Sequence, residues 1–123
     1  MVQVAIEVGE VANGTQPTLS EAYAPELINT VYNYDVDKAN ALLDSAGWVL
    51  GSDGVRAKDG VKLSFEIMYG ASSTNDQIAS AAQDYWKTVG VQAQPTSVDF
   101  DTVLVPAITE SFDYQMCMLA FDW

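Results

Sequence analysis

Strand-like and helix-like segments alternate without a break through the second half of this 123-residue sequence, and that alternation limits the fold more than any other feature. Over residues 61–69, Val61, Leu63, Phe65, Ile67 and Tyr69 alternate with Lys62, Ser64, Glu66 and Met68, the period of two that marks a half-buried strand. Ile78, Ala81, Ala82, Tyr85 and Val89 then recur at helical spacing, with Ser73 or Thr74 placed to cap the helix and Gly90 to close it. Residues 91–94 predict a second strand, whose far end Pro95 confines to an edge or an exit. Asp99 or Asp101 opens a third helix to about Ser111, kinked or delayed by Pro106. Residues 114–121, apolar apart from Gln115, predict a strand covered on both faces. Strand, helix, strand, helix, strand is two successive crossover units, which right-handed connections fold into a three-stranded parallel sheet clothed by helices. The fold class expected is α/β.

Upstream, Asp35 is placed to cap a helix over residues 36–46, whose apolar positions Ala39, Leu42, Leu43 and Ala46 follow helical spacing. Gly47 stands where a left-handed stop belongs, and Trp48 follows it. Asp59-Gly60 is a strong two-residue turn signal and predicts a hairpin over residues 55–69. Asp53 and Asp59 lack the further ligands and closing Glu of a calcium loop, so no calcium site is expected. Residues 2–8 fit either a helix end or a short strand. Residues 13–34, with Gly14, Pro17, Pro25 and several Tyr, predict an ordered but irregular connection.

Charge and composition exclude whole classes of function. Seventeen acidic residues face only Lys38, Arg56, Lys58, Lys62 and Lys87, a formal net charge of -12, so no basic patch can displace counterions from nucleic acid or an anionic membrane. The chain has no His and one Cys, which removes Ser-His-Asp and Cys-His nucleophiles, Cys/His zinc sites and internal disulfides. Cys117, inside Tyr114-Gln115-Met116-Cys117-Met118, is expected to be a small buried hydrophobe. No apolar run approaches the roughly 20 residues of a membrane span. Met1 opens directly onto Val2-Gln3-Val4-Ala5-Ile6 without a leader pattern, which fits a cytoplasmic chain or a piece whose leader lies upstream.

The run from Tyr34-Asp35-Val36-Asp37-Lys38-Ala39 through Leu42-Leu43-Asp44-Ser45-Ala46-Gly47-Trp48 resembles the "Y-D-P-E-K-A-K-A-L-L-x-E-A-G-W" signature of family 5 extracellular solute-binding proteins. Asp53-Gly54-Val55-Arg56 with Lys58-Asp59-Gly60 resembles that family's "D-G-V-R-x-K-D-G-K" hairpin. Gln83 with Trp86-Lys87 and Val89-Gly90-Val91 resembles "Q-x-x-W/L-K-x-I-G-I", and Phe112-Asp113-Tyr114-Gln115-Met116 resembles "G-D-Y-D-M". The order is the family's own, and the likeness runs from about residue 9 to the end. Val36 for the usual Pro, Asn40 for a frequent Lys, and Pro95 within a strand are departures.

The resemblance implies a partial lobe of a type II periplasmic-binding-protein-like fold: a short, mostly parallel sheet flanked by helices, plus the hairpin. On this reading residues 1–123 are a single incomplete α/β lobe, with its crossover units over residues 61–121. It implies the substrate-binding component of an ABC importer, which captures an oligopeptide, dipeptide or other small solute between this lobe and the other and delivers it to a membrane permease. The location implied is extracytoplasmic, in the periplasm or lipid-anchored on the outer face of the cytoplasmic membrane. Neither an enzyme nor a cofactor is implied, and the piece is expected to be monomeric and to bind no peptide by itself. In peptide-binding members an Asp following this last strand pairs with the ligand's terminal ammonium; counted from Asp113 that position is Asp122, flanked by Phe121 and Trp123. The rings flanking this carboxylate suit an ammonium partner. Trp48 and Trp86 read as core, whereas Tyr23, Tyr32 and Tyr34 are better placed to touch a ligand or the other lobe. Two other readings compete: an acidic metal-dependent enzyme domain using Asp99, Asp101, Asp113 and Asp122, and a non-transporting sensor or interaction module.

Overall fold

The structure, a computed structural model, describes residues 20, 21, 23–27 and 32–119. Two compact units are distinguished, Met1–Asp35 and Val36–Trp123. In the first, the Tyr23 N–H donates to the Ser20 carbonyl at 3.0 Å and a 3₁₀ turn spans Pro25–Leu27. Residues 2–8 and much of the 13–34 connection lie outside the described residues.

The second unit is α/β and contains two sheets. Helix α1, Val36–Ser45, ends with the Gly47 N–H on the Asp44 carbonyl and the Trp48 N–H on the Leu43 carbonyl, both 3.0 Å. This paired pattern satisfies carbonyls that a helix end otherwise leaves open. Strands β1 (Val49–Leu50), β2 (Arg56–Lys58) and β3 (Val61–Lys62) form an antiparallel sheet in the order β1-β2-β3. Asp59 and Gly60 make the β2–β3 turn, both with positive φ (51° and 81°). Two such residues match the right-handed twist of the strands they join.

The long strand expected over residues 61–69 is split at Leu63. Its first part belongs to the hairpin, and its second, β4 (Ser64–Gly70), is the middle of a parallel sheet ordered β5-β4-β6. Helix α2, Ser73–Lys87, connects β4 to β5 (Gln92–Val98), and a helical stretch connects β5 to β6 (Met116–Met118). Pro95 does not end its strand: β5 continues to Val98 with Pro95 opposite Ile67, because an edge strand has one side on which a missing N–H costs no ladder bond.

Three further expectations are corrected. The α2 cap is Ser72, whose hydroxyl accepts from the Asn75 N–H at 3.1 Å, one residue before the Ser/Thr pair proposed. Of the face expected for α2, Val89 is buried and Ile78, Ala81 and Ala82 are half-buried, but Tyr85 is 45% exposed, and Ala79, Gln83 and Trp86 turn inward as well. Gln83 Nε2 donates to the Ala93 carbonyl at 2.8 Å, and Trp86 meets Phe65 edge to face at 5.1 Å, which seats α2 on β4 and β5. Finally, β6 is half open rather than covered on both faces, with Met116 exposed and Cys117 only partly buried. The described residues place it at a sheet edge with β4 as its one partner.

The stretch after β5 is wound as π-helix at Phe100–Leu104 and again at Ala107–Ser111, on either side of Pro106. Leu104 and Ala107 face the core from it. Phe112, left-handed at φ 54°, ends it. The core of the unit gathers around Ile67, Tyr69, Ala79, Val89, Ala93, Leu104 and Ala107.

Candidate functional site

Two residue clusters stand out, at opposite ends of the parallel sheet. At the carboxyl end, β4 is flanked by its successors on both sides, so the chain leaves β4 in one direction to reach β5 and returns past it to reach β6. Such a reversal opens a crevice beyond the strand ends, and α/β sheets bind their ligands there. The described residues that build this edge are Gly70 and the Ser72–Asn75 turn after β4, and Asp99 and Phe100 after β5.

The edge is held by its own short polar side chains. The Ala71 N–H donates to the Val98 carbonyl at 2.9 Å, extending the ladder beyond the strands, and Asn75 Nδ2 donates to the Gly70 carbonyl at 2.7 Å. Tyr69, buried beneath, donates its hydroxyl to Asp76 Oδ1 at 3.0 Å; burial first and the Asp76 hydrogen bond second push that hydroxyl's pKa up. Asp99 caps the following helix, accepting from the Thr102 hydroxyl at 2.7 Å and the Thr102 N–H at 2.9 Å. Those two bonds, the hydroxyl's first, hold its carboxyl below the usual range. Phe100 lies against Gly70, 3.1 Å from where a Cβ would sit, and leaves about half of itself (49%) in the open. The edge thus presents an aromatic ring above a surface of small, already bonded polar groups.

Of the acids grouped for the metal-enzyme reading, Asp99 is committed to its cap, and no group of three His, Cys, Asp or Glu side chains that could hold a metal occurs among the described residues. Phe121, Asp122 and Trp123 lie outside the described residues; Asp122 stands four positions after Met118 in the sequence. Tyr32 and Tyr34 are well exposed, while Tyr23 is half-buried. Trp48 and Trp86 are half-buried too.

The other cluster is centred on Arg56, which is 3% exposed and was not singled out by its sequence context. Its Nε donates to the Val89 carbonyl at 2.8 Å, Nη1 to the Trp48 carbonyl at 2.6 Å and to Asp44 Oδ1, and Nη2 to Asn40 Oδ1 at 2.9 Å. Its backbone N–H donates to the Gly90 carbonyl at 2.8 Å. One guanidinium therefore ties α1, the Gly47-Trp48 stop, the hairpin and the loop after α2 together. Gly90 closes the arrangement: it has φ 79°, and a Cβ there would come within 2.7 Å of Leu50 Cδ1 and 2.8 Å of Arg56 Cγ. The place of Arg56 in the recognisable Asp53-Gly54-Val55-Arg56 run was the available signal, and Asn40, set down above as a departure, is one of its partners.

A family model for bacterial extracellular solute-binding proteins, family 5 (middle), matches residues 2–122. The oligopeptide-binding protein OppA of Lactococcus lactis is 38% identical over 85 residues, covering 66% of this chain and 14% of that protein. The solved structure of the oligopeptide-binding protein AppA from Bacillus subtilis in complex with a nonapeptide superposes with a TM-score of 0.89 at 25% identity, over 99% of this chain and 25% of that one. NikZ from Campylobacter jejuni in complex with Ni(L-His) superposes with a TM-score of 0.56 at 31% identity, over 59% of this chain and 15% of that one. The chain thus spans a quarter or less of each of these relatives, and the fold it shares with them is their type II binding-protein architecture.

Proposed function

This chain belongs to the bacterial extracellular solute-binding proteins of family 5, and from that premise we propose that it forms part of one lobe of an ABC importer's binding protein, capturing an oligopeptide and handing it to a membrane permease. The observation that carries the reading is the reversal of strand order at β4, which brings the carboxyl ends of β4, β5 and β6 to one edge, where Gly70, Asp99 and Phe100 lie. A peptide seated at this edge meets an exposed ring and groups whose own hydrogen bonds are already satisfied. Asp122, between Phe121 and Trp123, pairs with the terminal ammonium. Catalysis is by neither acid nor metal: solute is enclosed and released with no bond made or broken. The protein works on the extracytoplasmic side, in the periplasm or lipid-anchored at the outer face of the membrane.

Peptide over other solutes is favoured by the named relatives, OppA and AppA, which are oligopeptide-binding proteins, although NikZ holds a nickel complex. The test is a chimera in which the matched quarter of Bacillus subtilis AppA is replaced by this chain. It is expected to bind a nonapeptide in calorimetry, and Asp122→Asn to weaken that binding roughly tenfold, the loss of one charge-assisted contact. A chimera that melts cooperatively yet takes up no nonapeptide would sink the proposal. The 123-residue chain alone is expected to leave the peptide unbound, since one wall of a cleft neither excludes water nor supplies the opposing contacts.

A further inference from the structure

The chain contains two Asp-Gly pairs in tight turns, Asp53-Gly54 and Asp59-Gly60, and they differ in the hydrogen bonds that matter to one reaction. In that reaction the glycine amide nitrogen bonds to Cγ of the protonated aspartate, the Cγ–OH bond breaks, the hydroxyl leaves with the amide proton as water, and a five-membered succinimide forms. Water then adds at either imide carbonyl and breaks that carbon's bond to nitrogen. Opening on one side restores the aspartyl peptide; opening on the other leaves the chain running through the side-chain carboxyl as a β-aspartyl linkage. No oxidant or co-reactant other than water takes part. The requirements are a free amide, a free and protonatable carboxyl and room for the ring.

At Asp53-Gly54 none of the reacting groups is free. The Gly54 N–H donates to the Gly51 carbonyl at 3.0 Å. Asp53 Oδ1 accepts from the Val55 N–H at 3.1 Å and Oδ2 from Lys62 Nζ. The Lys62 bond first and the Val55 bond second hold the Asp53 carboxyl below its usual range, which keeps it ionised and a poor electrophile. At Asp59-Gly60 neither the carboxylate nor the Gly60 N–H has a hydrogen-bond partner among the described residues. Both pairs are exposed, and no atom lies within 4 Å of where a side chain would project from Gly54 or from Gly60, so the hydrogen bonds alone set the two sites apart. Asp59 is moreover held at φ 51°, in a region that disfavours residues other than glycine.

We propose that Asp59-Gly60 is a spontaneous modification site of this protein, converting through a succinimide to β-aspartate, and that Lys62 and Val55 keep Asp53-Gly54 inert. The added backbone carbon lengthens a two-residue turn, so the Lys58–Val61 pairing that the turn sets is lost, three residues from Arg56.

The test ages the intact 123-residue chain near pH 5 and counts β-aspartate at each site by peptide mapping and by methylation with an isoaspartyl methyltransferase. Because release of even one of the Asp53-Gly54 hydrogen bonds slows closure, β-aspartate is expected roughly tenfold faster at Asp59 than at Asp53. In urea the two sites are expected to react at similar rates. Asp59→Glu, which would need a six-membered ring, removes the signal, and Lys62→Met raises it at Asp53. Equal accumulation at both sites in the folded chain, more at Asp53, or none at Asp59 while the urea-unfolded chain reacts would overturn the proposal.

Discussion

The α1–hairpin region (residues 36–62) and the parallel sheet (residues 64–118) are built on opposite principles. The first has almost no apolar core: no residue of α1 is buried, Leu42, Val49 and Val61 are largely exposed, and a single buried guanidinium holds the parts together. The second is held by apolar packing around Ile67, Tyr69, Ala79 and Leu104, with polar side chains only trimming its edges. Most of the residues that make the family recognisable lie in the first region, or, as with Gly90, touch it. The crevice lies in the second. Recognisability and the proposed ligand edge are thus separated: most of the recognisable run surrounds the Arg56 clip, and the edge lies apart from it.

If that contrast is right, removing the clip has the largest effect. Arg56→Met strips donors from the Val89 and Trp48 carbonyls and from Asn40 and Asp44. Asp44 reaches solvent, so the loss is expected at about 2–4 kcal/mol rather than that of a fully buried pair. Urea unfolding measures the size, and hydrogen exchange the place: faster exchange confined to residues 36–63 keeps the comparison, whereas equal acceleration in β4 and β5 breaks it. Gly90→Ala comes next, at about 2 kcal/mol, because a left-handed backbone and two contacts under 3 Å from the added Cβ must both give way. The same exchange pattern is expected.

The smallest effect belongs to the sheet's edge. Asp99 has its folded-state pKa depressed by Thr102, so its contribution is present above the unfolded value of about 3.9 and is lost as pH falls through the lower folded one. The melting temperature of Asp99→Ala should therefore lie below that of the parent by a constant margin from neutral pH to about 5, and the two should converge below about pH 4. A margin that persists in acid would mean that Asp99 acts through packing and not through its charged cap.

What was legible in the residues was local. The Leu43–Trp48 helix stop and the Asp59-Gly60 turn are written in neighbouring positions, and the alternation of strand and helix set the α/β class. What was not legible depends on partners far along the chain. Leu63 looks like any apolar residue of a continuous strand, yet the strand changes sheets there, with the Leu63 N–H on Arg56 and its carbonyl on Gln92. Pro95 reads equally as the mark of an edge or of an exit until the strand order β5-β4-β6 makes β5 an edge. On α2 apolar spacing included the exposed Tyr85 and passed over Gln83, whose amide turns inward to a strand carbonyl. The π-winding around Pro106 has no period of its own in the sequence. Asp122 was reached by counting along a resemblance, and the crevice by the order of strands. Only the second can be derived from this fold.

The parallel ladder has a kinetic cost as well as a site. Gln115 reaches Glu66 across 49 residues to start the β4–β6 pairing, while Lys58 and Val61 pair across a turn of two. Closing the longer loop loses more chain entropy, and it yields nothing until α2, β5 and the π-wound stretch have collapsed. The hairpin is therefore expected to form before β6 docks. Until then the central strand carries one bare flank, so the span between synthesis of Tyr69 and of Met118 is when this polypeptide is most open to pairing with a neighbour in place of itself.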